Sequence, residues 1–122
     1  MQIVVFTRST PDTAAKVEVA ADGRVTWGDA ALVVNPWDEY ALEEAIVQAK
    51  NAGGKATVIA LGPEMHNDAL KHALAMGMDE AVRVQDAALD PADSLSYATA
   101  AAAAAKKVDG VELVIFGKES ID

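Results

Sequence analysis

Carboxylates gathered in pairs are the raw material of general acid–base catalysis, and Asp38, Glu39, Glu43 and Glu44 form such a group. Their setting gives them a plainer role. They follow Asn35-Pro36, and proline suits the first position of a helix because its φ is already helical and it has no N–H to leave unpaired. Asp38 and Glu39 then place negative charge beside the positive end of the helix dipole, while Glu43 and Glu44 fall on a wet face. His66 and His72 are six apart on a second predicted helix, which puts them on different faces. Neither has the carboxylate company a metal needs, and both read as solvent-facing. Ser9, Ser94, Ser96 and Ser120 lack the strand–turn–helix context of a nucleophile elbow. The chain has no cysteine, hence no thiol nucleophile, no thiolate metal site and no disulfide framework. No Gly-x-Gly-x-x-Gly follows the first apolar run, and Glu119 after Gly117-Lys118 breaks the Walker pattern. No aromatic-lined or basic pocket for a redox flavin can be read from the sequence. The inventory describes a chain that binds, without acid–base or nucleophilic catalysis of its own.

Asn35 keeps two readings. Held extended by the proline after it, it can cap the helix with its side-chain oxygen, and the same helix start can receive an anion or a ligand dipole. Trp37 reads as a packing residue at a helix entry rather than a flavin stacker. The helix carries an apolar stripe of Ala41, Leu42, Ala45, Ile46 and Ala49 and stops at Gly53-Gly54. Upstream, Ile3 to Phe6 is an apolar run suited to a strand buried on both faces. Arg8 to Ala15 is polar and reads as a loop. Alternation in 16–19 and 24–27, around Asp22-Gly23, predicts a hairpin outside the main sheet. Downstream, Ala56 to Leu61 is a second buried strand closed by Gly62-Pro63. Glu64 opens a helix with Met65, Ala69, Leu70, Ala73 and Met76 inward and Gly77 as a left-handed cap. Glu80 to Val84 is a short strand and 86–93 a loop. Asp93 or Ser94 caps a third helix, whose run Ala100 to Ala105 lets it lie close on a sheet. Val111 to Phe116 is the last strand.

Strands alternating with helices predict an α/β fold in one domain over 1–122: a three-layer sandwich with a mostly parallel, Rossmann-like sheet and an inserted β-hairpin. Such sheets bind ligands outside the carboxyl ends of their strands. Those ends are Thr7-Arg8, Gly62-Pro63 and Gly117-Lys118, with the Asn35-Pro36 helix start on the same rim. The net charge of −9 disfavours nucleic acid and anionic membranes, so a bound nucleotide is left to backbone amides and helix ends. No apolar run is long enough to span a membrane, and the first residues read as a strand rather than a signal peptide.

Three blocks, in order, resemble the electron-transfer flavoprotein beta subunit. They are Asn35-Pro36-Trp37-Asp38-Glu39-Tyr40-Ala41-Leu42-Glu43-Glu44-Ala45, then Ala73-Leu74-Ala75-Met76-Gly77-Met78-Asp79, then Gly117-Lys118-Glu119-Ser120-Ile121-Asp122. With Arg8, Lys16 and Gly62-Pro63 the similarity runs along nearly the whole chain. The resemblance implies an adenine-nucleotide-binding domain with AMP as a structural element, replaced by a second FAD in bifurcating members. It also implies a heterodimer with an alpha subunit that holds most of the FAD contacts. Electrons would pass from dehydrogenases, such as an acyl-CoA dehydrogenase, through the flavin to an acceptor. The place would be the cytoplasm, or the mitochondrial matrix of a eukaryote. Carried over by position, the nucleotide contacts come from the Val5 backbone, Asn35, Pro36, Trp37 and Asp38, the Leu61 backbone, and Gly117, Lys118, Glu119, Ser120, Ile121 and Asp122. Near Leu61 the chain is two residues shorter than the family. It stops at Asp122, where the family's phosphate-binding loop continues, which predicts an amino-terminal part of a longer beta subunit or a short relative. The alternative is a stand-alone adenine-nucleotide module of the universal-stress type, although the glycine-rich loop ending in Gly-Ser that marks that class is not found here.

Overall fold

The computed structural model describes residues 1–28, 30–86, 89 and 93–121. In chain order the elements are β1 (Gln2–Thr7), β2 (Ser9–Pro11), β3 (Glu18–Val19), β4 (Val25–Thr26), β5 (Leu32–Val34), α1 (Pro36–Ala52), β6 (Lys55–Leu61), α2 (Asn67–Met76), β7 (Glu80–Val84), α3 (Ser94–Lys106) and β8 (Val111–Ile115). The alternation of side chains along β1 and β6 builds two cores at once. Ile3, Val5, Ala56, Val58 and Ala60 face α1 and α2, while Val4, Phe6, Ile59 and Leu61 face α3. That is why the interiors of both strands are apolar, Thr57 apart, and why the sheet has helices on either side.

The main sheet is parallel, in the order β7-β6-β1-β8. The α/β three-layer architecture expected from the sequence is therefore present. The stripe on α1 is also as read: Ala41, Leu42, Ala45 and Ala49 are buried, Ile46 packs against them, and Gly53 caps the helix at φ 67°. Asp93 caps α3, its Oδ1 accepting from the Leu95 N–H at 3.2 Å. The hairpin β3–β4 forms apart from the main sheet. Most of the loop expected at 86–93 lies outside the described residues.

Two segments differ from the sequence reading. The stretch read as a loop from Arg8 to Ala15 contains β2, which pairs antiparallel with β5, Ser9 opposite Val34 and Pro11 opposite Leu32. A three-residue strand is too short to show a period, and its proline reads as loop. Glu64 opens a 3-10 turn, Glu64–His66, and α2 follows only at Asn67. Gly77 ends α2 at a positive φ of 129°, as expected of a glycine cap, its N–H bonded to the carbonyls of Ala73 and Leu74 and the Met78 N–H to that of Ala73.

Candidate functional site

From β1 the chain adds β6 and β7 on one side, then crosses to add β8 on the other. The strand order thus reverses between β1 and β8, and the crevice outside the carboxyl ends of those two strands is where open α/β sheets take ligands. Thr7 ends β1, Phe116 and Gly117 follow β8, and α1 begins beside both.

Asn35 is buried, 1% exposed, and its backbone is fixed at both ends. Its N–H donates to the Arg8 carbonyl at 2.9 Å, and its carbonyl accepts from the Asp38 N–H at 2.9 Å. The capping bond expected of its side chain is not made. Instead Nδ2 donates to the Glu119 carbonyl at 2.8 Å, and Oδ1 accepts from the Ile121 N–H at 3.3 Å. The carboxamide thus ties the start of its own helix, where it also meets the Asp38 carboxylate, to a segment more than 80 residues downstream.

Asp38 and Glu39 stand in the first turn of α1, as the dipole reading expects, but Asp38 is buried as well. It lies three and four residues before Ala41 and Leu42, on the buried stripe, and is 6% exposed. Its Oδ2 accepts from the Thr7 hydroxyl at 3.1 Å. Burial pushes the carboxyl up to about 6, against the Asn35 side chain, the Thr7 hydroxyl, the Arg8 backbone and the Arg8 charge, all of which favour the ionised form. Glu39, Glu43 and Glu44 are exposed, as expected.

Gly117 is required by close approach rather than by a turn. A Cβ there would run into Oδ1 of Asp38 and come within 2.9 Å of the Trp37 carbonyl carbon. Lys118 lies over the Trp37 ring, Nζ 5.0 Å from its centroid. Trp37, Tyr40, Phe116 and Lys118 line a shallow crevice of about 270 Å³. These residues are scattered in sequence, and the approach of Gly117, just after β8, to the start of α1 gathers them. Phe116 also stacks on Phe6, centroids 5.2 Å apart.

The remaining sequence candidates are placed as follows. Pro36 is half-buried at the first position of α1. Val5 is wholly buried, paired with Val58 and Ile115 and two residues inside the end of β1. Leu61 ends β6 with its side chain in the α3-side core. Ser120 lies between the two residues bound by Asn35. Asp122 lies outside the described residues.

Thr7, expected on the rim as the end of β1, makes a bond to Asp38 that was not anticipated. Two further contributors were not anticipated at all. Tyr97 reaches the same neighbourhood from α3: burial pushes its phenol up, Arg8 opposes the shift and Asp38 adds to it. His66, expected in solvent, is 3% exposed; its Nδ1 accepts from the Ser9 N–H at 3.0 Å, and its ring lies against Gly62. The 3-10 turn after Pro63 carries it out of the α2 register and onto β2. His72 is half-exposed, 3.5 Å from Glu39. Among the described residues no three metal-ligating side chains converge, and no helix is long and apolar enough to cross a membrane.

Comparison with known proteins gives a consistent result. The electron transfer flavoprotein domain family matches residues 28–122. The chain is 40% identical over 122 residues to the electron transfer flavoprotein subunit beta of Clostridium acetobutylicum, covering all of this chain and 47% of that protein. It is 36% identical over 124 residues to the caffeyl-CoA reductase-Etf complex subunit CarD of Acetobacterium woodii, covering all of this chain and 47% of that one. With protein FixA of Azotobacter vinelandii the identity is 35% over 126 residues, covering all of this chain and 44% of FixA. The chain spans about half the length of the curated relatives it matches.

Proposed function

The chain belongs to the electron transfer flavoprotein family, and from that membership we propose that it serves as a beta-type subunit, binding AMP, or a second FAD in its place, at the crevice between β1 and β8. One observation carries the reading. Asn35 to Asp38 and residues 117–121, distant in sequence, come together where the strand order reverses. The chain is acidic, so phosphate recognition falls to backbone N–H groups and the start of α1, with Lys118 and Arg8 as nearby cations. AMP here is structural. The FAD of the heterodimer supplies the redox chemistry, and in this reading an alpha subunit holds it. Electron donors would be dehydrogenases of the acyl-CoA type, and the location cytoplasmic. This chain's part is to bind and orient, with no proton transfer of its own.

The test is calorimetric titration of the chain with AMP, FAD and ATP, alongside its visible spectrum as purified. Saturable binding of AMP or FAD near one per chain is expected. The chain as purified should be colourless, because in this reading the redox flavin is held by the alpha subunit. No binding of either would overturn the proposal, and selective binding of ATP would favour a stand-alone nucleotide sensor.

A further inference from the structure

Every polar group of Asn35 is engaged. Its backbone N–H and C=O meet Arg8 and Asp38, and its carboxamide meets the Glu119 carbonyl, the Ile121 N–H and the Asp38 carboxylate. The last two bonds have a recognisable pattern. In a parallel ladder, one residue donates to the carbonyl before its partner and accepts from the N–H after it. The Asn35 carboxamide does this to Ser120: it donates to residue 119 and accepts from residue 121. A side chain thus takes the place of a strand neighbour. In a strand bonded this way the middle residue turns its own N–H and C=O to the opposite side, away from Asn35. The segment is also held at its root, where the lack of a side chain on Gly117 lets it lie against Asp38 and Trp37. At 1% exposure the Asn35 side chain has no free surface to offer a ligand.

We infer that Asn35 is a positioning residue: its carboxamide substitutes for a missing strand partner and holds residues 119–121 in the course from which their backbone meets the nucleotide. This rests on the nucleotide-binding reading above, but it assigns Asn35 a different part from direct contact. Removing the carboxamide should free the segment and weaken the nucleotide through it.

The experiment uses the 122-residue chain, with AMP as the probe. AMP affinity is measured by calorimetry, and the Ile121 amide by NMR hydrogen exchange, for the wild type and Asn35→Ala. Ile121→Pro removes the N–H from the other side without touching the helix start, and the double variant closes a cycle. The expected result is about tenfold weaker AMP binding in Asn35→Ala, with Ile121 exchange faster by a similar factor. Ile121→Pro should weaken AMP comparably, and the double variant should lose little more than either single change. Lost affinity with unchanged Ile121 exchange would overturn the inference, because Asn35 would then touch the nucleotide itself. Faster exchange with unchanged affinity would overturn it too, the segment being irrelevant to the ligand. A wild-type chain that binds no AMP defeats the nucleotide reading and the inference with it, and that outcome is visible before any variant is made.

Discussion

Asp38 shows how burial sets the energetics of a single residue. Its carboxyl titrates near 6 in the folded chain against 3.8 ordinarily, so between those values the folded state holds a proton that the unfolded state has released. Stability from this group therefore falls as pH rises through that window, and at neutral pH the charged form costs about 3 kcal/mol. Asp38→Asn keeps the shape, and its amide oxygen can still accept from Thr7, but it has no charge to bury. The variant should be more stable than wild type at pH 8 and should lose most of that advantage by pH 4.5. Urea midpoints of both proteins at the two pH values check this; equal midpoints at pH 8 would show that the buried charge is not penalised. Thr10 offers a second case. It is fully buried in β2, and its hydroxyl has no hydrogen-bond partner among the described residues. Thr10→Val removes the unpaired group at constant shape and should stabilise the chain by about 1 kcal/mol. A loss of stability on thermal unfolding would mean that the hydroxyl is bonded after all.

Between elements, the contacts that matter here are those a local pattern cannot show. The helix start at Pro36, the stripe on α1 and the two-sided strands β1 and β6 follow from nearest neighbours and simple periods, and all were legible. The pairing of β2 with β5 was not, since three residues carry no period. The course of 117–121 was not either, since it is fixed by a carboxamide far away in sequence. His66 belongs to the same class: it joins the turn after β6 to β2, and helical spacing wrongly sent it to solvent. Asp38 was legible as an acidic residue of the first turn, and its burial could also have been read, because it continues the apolar stripe by one turn. The His66 joint can be tested by choosing which atom to keep. His66→Ala leaves the Ser9 N–H unpaired in a buried place and should cost about 2–3 kcal/mol. His66→Asn puts an oxygen near the position of Nδ1 and should recover part of that. If the two variants unfold at the same urea concentration, the Ser9 bond contributes little and only ring packing is at stake.

At the scale of the whole molecule, the sheet is unevenly covered. The edge formed by β8 is left open, with Leu113 36%, Val114 37% and Phe116 57% exposed. An open strand with apolar side chains is a template for another strand. A two-fold antiparallel pairing centred on Leu113 would set Glu112 against Val114, so the one charge in this strand does not meet its own copy. The opposing force is the net charge of −9, which keeps copies apart at low ionic strength. These two terms respond differently to salt: screening weakens the repulsion between copies while leaving apolar contact intact. The chain should therefore associate with rising concentration, and more strongly at about 0.5 M salt than at about 0.02 M, where the Debye length is several times longer. Val114→Lys adds a charge and a long solvated side chain to the exposed face of the strand, a device that protects natural edges, without touching the ladder to β1. It should shift the chain toward monomer while circular dichroism and the unfolding midpoint stay close to wild type. Light scattering over a wide concentration range at both salt levels decides the matter. A wild-type chain that stays monomeric throughout would show that the β8 edge is too short or too twisted to pair with itself.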